Sequence, residues 1–200
     1  MKYNFNGFTT KANEALNQAI GSAEQLGHTY VGSEHLLLGL LKIGTGVAAA
    51  VFNKNGITAE NIEELIRANI GCGTVTRLSP DYFTPRAKRV IETAMAGCAN
   101  MGKKYVGTEH LLIGILSEGD NYAIRFINEL GVDAAALTTE ALKASGIDPE
   151  DTQSVNAAGT ASDDADSKAP TLVKYGRDLT AAAKKGKIDP VIGREKEIER

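Results

Sequence analysis

The sequence is poor in the residues that mark disulfide-linked, metal-binding and membrane proteins. Its two cysteines, Cys72 and Cys98, form no CxxC pair. No apolar run approaches the roughly 18–20 residues that a membrane span needs. Isolated cysteines of this kind are typical of reduced thiols. We therefore expect a cytoplasmic protein with no metal site and no membrane segment.

An excess of positive charge is also missing. The chain has 22 Lys and Arg residues against 25 Asp and Glu residues, and residues 1–147 alone have 13 against 14. Binding to a phosphate backbone needs a clearly basic face, which a nearly neutral segment does not supply. Nucleic acid is therefore not expected as a partner.

What the sequence does contain is a duplication. Residues 30–41 read YVGSEHLLLGLL, and residues 105–116 read YVGTEHLLIGIL, 75 positions later. With that offset fixed and no gap, further identities continue on both sides. We interpret residues 8–70 as repeat one and residues 83–145 as repeat two, so that a site in one copy is expected in the other.

Each copy predicts four helices and no strand. A Phe-Thr pair opens the first helix, and Thr9 and Thr84 are favourable N-caps for it. The second helix contains the repeated Glu-His pair, with Ser33 and Thr108 as its expected N-caps, and leucine on nearly all sides predicts that it is buried. Shorter third and fourth helices follow. The prediction for residues 1–147 is an all-α fold of two four-helix units related by a pseudo-twofold axis.

The composition changes after the second repeat. Residues 148–170 contain six acidic residues, one lysine and almost no large apolar side chain. Such a segment cannot bury enough surface to offset its ordering entropy, which predicts a disordered linker. Helix-forming patterns return in residues 171–200, which are expected to form a short helical fragment at the start of a further domain.

Two distinct motif sets together resemble one family. The first set is the Gly-[Ser/Thr]-Glu-His-Leu-Leu motif of both copies, with the Phe-Thr-x-[Lys/Arg]-Ala opening. The second is KYGRDLT at residues 174–180 with DPVIGRE at residues 189–195. Both resemble the Clp/Hsp100 AAA+ unfoldases, and the glycine before each [Ser/Thr]-Glu-His is most similar to the ClpC branch. The resemblance implies a double Clp N-terminal repeat domain followed by the truncated start of the first ATPase module.

The resemblance implies a substrate- and adaptor-recognition domain. Its parent would be a hexameric unfoldase that hydrolyses ATP with Mg²⁺ and delivers proteins to the ClpP peptidase. This chain has no GxxxxGK[ST] phosphate loop and no Walker B strand, so we expect a monomeric binding module with no catalysis and no cofactor. Val191 and Ile192 would line the adenine pocket of the parent by resemblance, and they are expected to bind no nucleotide here.

The ClpC-like resemblance also implies recognition of phosphoarginine as a degradation tag. Glu34 and Glu109 lie in the first turn of the second helix, where a carboxylate can simply complement the helix dipole. A carboxylate can also pair with a guanidinium group, while the amides and hydroxyl of a Thr-capped helix hold the phosphate. Glu34 with Thr9, and Glu109 with Thr84, are therefore the expected sites, two per chain.

Other residues leave alternatives open. His35 and His110 could suggest a metal or catalytic site, but no HExxH spacing or nucleophile accompanies them. We expect helix-terminal histidines that hold backbone carbonyls. Phe8 and Phe83 are expected to pack at helix starts. Phe5, which has no equivalent in repeat two, is expected to be an exposed contact for adaptors or unfolded segments.

Two other functional classes compete with this interpretation. A stand-alone double-repeat regulator would need no ATPase motif, and residues 171–200 argue against it. An enzyme would need a nucleophile and a base within reach of each other, and the sequence shows no such pattern.

Overall fold

The computed structural model describes residues 2–75 and 77–146, and within them the fold is all-α, as predicted. Each repeat contributes four α-helices, and neither described range contains a β-strand beyond two isolated bridges. The predicted linker and the predicted start of an ATPase module, with Val191 and Ile192, lie outside the described residues.

The eight described helices follow the same order in both repeats. Repeat one contains α1 (Thr10–Leu26), α2 (Ser33–Ile43), α3 (Val47–Lys54) and α4 (Ala59–Asn69). Repeat two contains α5 (Pro85–Asn100), α6 (Thr108–Ser117), α7 (Tyr122–Glu129) and α8 (Ala134–Ala144). A 3₁₀ turn, Pro80–Tyr82, precedes α5.

Threonine caps begin α1 and α5, as predicted. The Thr9 hydroxyl accepts a hydrogen bond from the Ala12 amide at 3.2 Å, and the Thr84 hydroxyl accepts one from the Ala87 amide at 3.1 Å. Both threonines have the extended backbone of an N-cap residue.

The prediction that Ser33 and Thr108 cap α2 and α6 is wrong. These two residues are the first of their helices, and Gly32 and Gly107 are the N-caps. A Cβ at either glycine would overlap the carboxylate of the glutamate two residues further on. The glycine amide is instead held by the histidine side chain at the third helical position. The bond between the glycine amide and the histidine therefore places the cap at the glycine, and the glutamate carboxylate occupies the space beside it.

The second helix of each repeat lies at the centre, as its leucine content predicts. Leu37 and Leu38 in α2 and Leu112 in α6 are fully buried. Among the described residues, no single helix is long and apolar enough to span a membrane; α2 and α3 meet the length and composition criteria only together, with a 93° bend between them.

Two short bridges join the repeats. Val31, just before α2, pairs in parallel with Phe83, just before α5, and the Thr84 amide donates to the Val31 carbonyl at 3.0 Å. The equivalent bridge joins Phe8 to Val106. Each repeat therefore places the start of its first helix beside the second helix of the other repeat.

The close packing of α1 on α2 yields a stability prediction. A Cβ at Gly39 would overlap the Ala15 carbonyl oxygen and lie 2.8 Å from the Ala19 amide nitrogen. We expect Gly39→Ala to lower the free energy of unfolding by about 1–3 kcal/mol, because overpacking outweighs the helix propensity gained. Urea denaturation measures the change.

Gly21→Ala is the matched control. Gly21 lies inside α1, where an added Cβ would meet nothing within 4 Å. We expect this variant to be more stable than the wild type by about 0.5–1 kcal/mol, since only the propensity term remains. A Gly39→Ala protein as stable as the Gly21→Ala protein would contradict the packing described.

Candidate functional site

An open cavity of about 550 Å³ lies where the two repeats meet. Repeat one supplies the start of α2, and repeat two supplies the starts of α5 and α7. The lining residues are Tyr30, Gly32, Ser33, Glu34, Thr84, Pro85, Arg86, Arg89, Asp120, Asn121, Tyr122 and Arg125. We call this cavity the first pocket.

The structure brings Glu34 together with Thr84 and not with Thr9. Both Glu34 and Thr84 line the first pocket. Thr9 lies instead on the Glu109 side, where its amide donates to the Val106 carbonyl at 2.9 Å. The expectation that each site forms within one repeat is therefore wrong, because the two bridges exchange the partners. We call the Thr9 and Glu109 region the second site.

Glu34 is buried, and one of its carboxylate oxygens has no donor among the described residues. Only 2% of the residue is exposed. Its Oε1 lies 3.1 Å from His35 Nδ1, but that nitrogen accepts a hydrogen bond from the Gly32 amide at 3.0 Å. Because this ring nitrogen acts as an acceptor, it has no proton to offer the carboxylate. Oε1 therefore has unused capacity to accept a hydrogen bond.

On the side away from Gly32, the His35 ring is held by two successive hydrogen bonds. Its Nε2 lies 2.8 Å from His28 Nδ1, and His28 Nε2 lies 3.0 Å from the Gly71 carbonyl oxygen. With Nδ1 of His35 an acceptor, each Nε2 must donate onward. The histidines are structural, but His35 holds a backbone amide, not the carbonyl that the sequence analysis expects.

The electrostatic balance at Glu34 favours the ionised form. Burial raises the pKa of Glu34, but the positive charge that His35 and His28 gain on protonation, together with the Glu34 backbone amide, lowers it, and the resulting pKa lies below its ordinary value. The carboxylate is therefore charged at neutral pH. A buried anion with a free acceptor position is suited to a cationic donor such as a guanidinium group.

Arg125, from α7, also lines the first pocket. Its Nε and Nη2 donate to the two carboxylate oxygens of Asp120 at 2.8 and 2.9 Å, and its guanidinium lies 5.7 Å from the centre of the Tyr122 ring. The ion pair lowers the pKa of Asp120. Three of the five guanidinium N–H groups are not used by this pair.

Sequence reasoning missed the contribution of α7. The sequence signal that points to α7 is the difference between the two copies. Where equivalent positions of a duplicated site differ, one of the two sites can acquire a property that the other lacks. The residues at Arg89, Tyr122 and Arg125 are replaced in repeat one by Glu14, Val47 and Ala50.

The second site shares the Gly-Glu-His turn but is more open. Glu109 Oε1 lies 3.3 Å from His110 Nδ1, which accepts the Gly107 amide at 2.9 Å. The Glu109 side chain is 23% exposed. Lys103 takes the place of His28, and His110 Nε2 is buried without a hydrogen-bond partner in the described part of the chain.

Phe5 differs from its expected role as an exposed contact. It is half-buried, and its ring contacts Phe8 and Phe83 edge-on at centroid distances of 6.2 and 6.3 Å. The Asn13 side chain accepts from the Phe5 amide at 2.7 Å and donates to its carbonyl at 3.1 Å. The segment before α1 is thereby fixed on the helix.

A second open cavity, of about 640 Å³, lies beside α4 and shows no comparable chemistry. Both of its basic residues are paired with Glu63, which lies 3.3 Å from Lys42 and 2.8 Å from Arg67. Within residues 2–75 and 77–146, no group of three or more metal-binding side chains is arranged to hold an ion.

His110 predicts a pH dependence of stability. Burial lowers the pKa of His110 below 6.5, and the opposing effect of Glu109 does not cancel it. The unfolded chain then binds this proton at a higher pH than the folded chain does. The free energy of unfolding should therefore fall as the pH drops below about 6.5.

The variant His110→Asn tests this assignment. Its side-chain oxygen can still accept the Gly107 amide, but it does not titrate. We expect the variant to lose part of the decrease in stability between about pH 6.5 and 5.5, measured by urea denaturation at each pH. An unchanged pH dependence would show that His110 is not the group responsible.

Solved structures of related fold define the class of this domain. The N-terminal domain of the caseinolytic protease associated chaperone ClpD from Arabidopsis thaliana matches with a TM-score of 0.61 and 27% identity, over 72% of this chain and 97% of that one. The N-domain of ClpV from Vibrio cholerae shares the fold, with a TM-score of 0.53 and 17% identity over 72% of this chain and 88% of that one. The fold is that of a Clp N-domain.

The chain belongs to the family described as the Clp repeat (R) N-terminal domain, whose profile matches residues 7–130. Chaperone protein ClpC2, chloroplastic, from Oryza sativa subsp. japonica is 40% identical over 196 residues, which are 98% of this chain and 21% of that protein. Chaperone protein ClpC1, chloroplastic, from Arabidopsis thaliana is 39% identical over 200 residues, 100% of this chain and 21% of that protein. The chain thus spans about a fifth of these relatives.

Proposed function

We propose that this chain is the substrate- and adaptor-recognition domain of a ClpC-like unfoldase subunit, and that it captures proteins tagged with phosphoarginine. The observation that carries the proposal is the ionised Glu34 carboxylate, buried at the edge of an open cavity with an oxygen that lacks a donor. The same cavity is lined by arginines and by the start of α5. Opposite charges in one cavity suit a ligand that combines a guanidinium group with a phosphate.

The start of α5 can hold the phosphate. Pro85 has no amide hydrogen, the Ala87 amide donates to the Thr84 hydroxyl, and the Lys88 amide donates to the Thr84 carbonyl at 2.9 Å. The Arg86 amide is therefore the open donor of this turn among the described residues. The Thr84 hydroxyl accepts from Ala87, so its own hydrogen can also point to a phosphate oxygen.

Glu34 would bind the other half of the ligand. A substituted guanidinium keeps N–H groups on the nitrogens that carry no phosphate, and Oε1 of Glu34 can accept one of them. Glu109 and Thr9 supply the same two functions at the second site. The four residues Thr9, Glu34, Thr84 and Glu109 are thus our proposed phosphoarginine ligands, arranged across the repeats.

The roles of the whole parent protein extend this proposal. We infer a hexameric, ATP- and Mg²⁺-dependent unfoldase that delivers captured proteins to ClpP, with Val191 and Ile192 in its adenine pocket. Support comes from relatives such as the ATP-dependent Clp protease ATP-binding subunit ClpA homolog of Pyropia yezoensis, 39% identical over 98% of this chain and 23% of that protein.

This chain itself would be a monomeric, non-catalytic binding module without a cofactor. Protein partners are supported by a neighbour of the same fold, since a ClpV N-domain has been solved in complex with a VipB peptide. A cytoplasmic location is proposed from the isolated cysteines alone, because the plant relatives are named chloroplastic.

Calorimetric titration of the chain with phosphoarginine tests the proposal. We expect saturable binding that free arginine and inorganic phosphate do not reproduce, because each of these offers only one of the two charged groups. The double variant Glu34→Ala/Glu109→Ala should lose binding. Glu92→Ala removes an exposed carboxylate from α5 and should bind like the wild type.

The opposite result has a clear meaning. If the folded wild-type chain does not bind phosphoarginine, the tag-receptor function is wrong. Recognition of adaptors would then be the remaining function for the repeat pair.

A further inference from the structure

Divergence between the two copies makes the pockets chemically different. The first pocket is lined by three arginines and two carboxylates: Arg86, Arg89 and Arg125 with Glu34 and Asp120. At the equivalent positions, 75 residues earlier or later, the second site has one lysine, two carboxylates and two uncharged residues: Lys11, Glu14, Glu109, Thr45 and Ala50. Because Arg89 is already paired with Glu118 at 2.8 Å, the difference between the sites rests mainly on Arg125, which is Ala50 in the other copy, and on Glu14 in place of Arg89.

The equivalence of these positions is visible in the fold as well as in the sequence. The Thr9 amide bonds to Val106 as the Thr84 amide bonds to Val31. The residue before α3, Gly46, also approaches α6, because a Cβ there would lie 2.7 Å from Thr108 Oγ1. The start of α3 therefore borders the second site as the start of α7 borders the first.

The start of α7 is rigidly held. Asn121 is buried, and its side chain accepts from the Ile124 amide at 3.0 Å and donates to the Ile115 carbonyl at 2.9 Å. Gly46, at the same position in repeat one, offers no side chain for a cap. With Asp120 and the Tyr122 ring beside its guanidinium, Arg125 is preorganised at the first pocket.

We propose that the two sites are unequal, and that the first pocket binds a phosphorylated guanidine at least tenfold more tightly than the second site does. Arg125 is the residue that confers this difference. A dianionic phosphate gains from a preorganised, charge-assisted donor in the first pocket. At the equivalent positions of the second site, Glu14 and Ala50 replace Arg89 and Arg125, and the nearby cations are the lysines Lys11 and Lys103. This inference rests on the proposed function and refines it. Each chain would capture one phosphoarginine tag at a time, in the first pocket.

Titration of the full chain with phosphoarginine, extended to saturation, tests the inequality. We expect one tight site per chain, followed by a second transition at least tenfold weaker or outside the measured range. Glu34→Gln should abolish the tight site, and Glu109→Gln should leave it unchanged. Glutamine keeps the size of the side chain while removing its charge, which limits the disturbance at buried Glu34.

Arg125→Ala tests the same pocket with little risk to folding, because the Arg125 side chain is 60% exposed. We expect the tight site to weaken tenfold or more, with an unchanged circular dichroism spectrum. The reciprocal variant Ala50→Arg adds a guanidinium at the exposed equivalent position in α3. It should strengthen the weaker site without affecting the tight one.

The outcomes separate the two proposals. Two sites of equal affinity in the wild type would overturn the inequality and leave the tag-receptor function intact. A tight site that is lost with Glu109→Gln and kept with Glu34→Gln would overturn the assignment, as would an Arg125→Ala protein that binds like the wild type. Absence of any binding would instead reject the proposed function itself.

Discussion

Two short parallel bridges, Val31 with Phe83 and Phe8 with Val106, determine how the rest of the molecule is arranged. Each bridge fixes the entry of a first helix beside the entry of a second helix from the other repeat. The N-terminus of a helix has unsatisfied amides and the positive end of the helix dipole. Because helix N-termini from both repeats meet here, the region between the two apolar cores is polar. The functional chemistry therefore lies between the repeats and not within them.

The Gly-Glu-His turn is the second constraint, and it explains an unfavourable arrangement. Glu34 is buried with an unsatisfied oxygen, which costs free energy in the isolated chain. The turn enforces this because Gly32 leaves room for the carboxylate and His35 takes the amide that would otherwise satisfy it. A ligand that donates a hydrogen bond to this oxygen would remove that cost. The unsatisfied oxygen of the free domain therefore favours ligand binding.

Helix order and most boundaries could be predicted from the sequence because their signals are local and occur twice. The Thr9 and Thr84 caps are examples. The cap of α2 could not be predicted, because serine is at least as good an N-cap as glycine by propensity. The bond from the Gly32 amide to His35, which places the cap one residue earlier, is visible only in the structure. The sequence could not predict which threonine lies in the pocket with Glu34 either. A duplicated sequence is compatible with a site formed within one copy or between the two copies.

The most direct test of a shared pocket is backbone amide NMR of the chain during addition of phosphoarginine. The account predicts that the amides of residues 32–34 and 86–87 shift together along one binding curve, although they belong to different repeats. It also predicts that the amides of residues 10–12 and 107–109 form a separate group that responds at higher ligand concentration. Shifts that link residues 32–34 to residues 10–12, or that stay within one repeat, would contradict it.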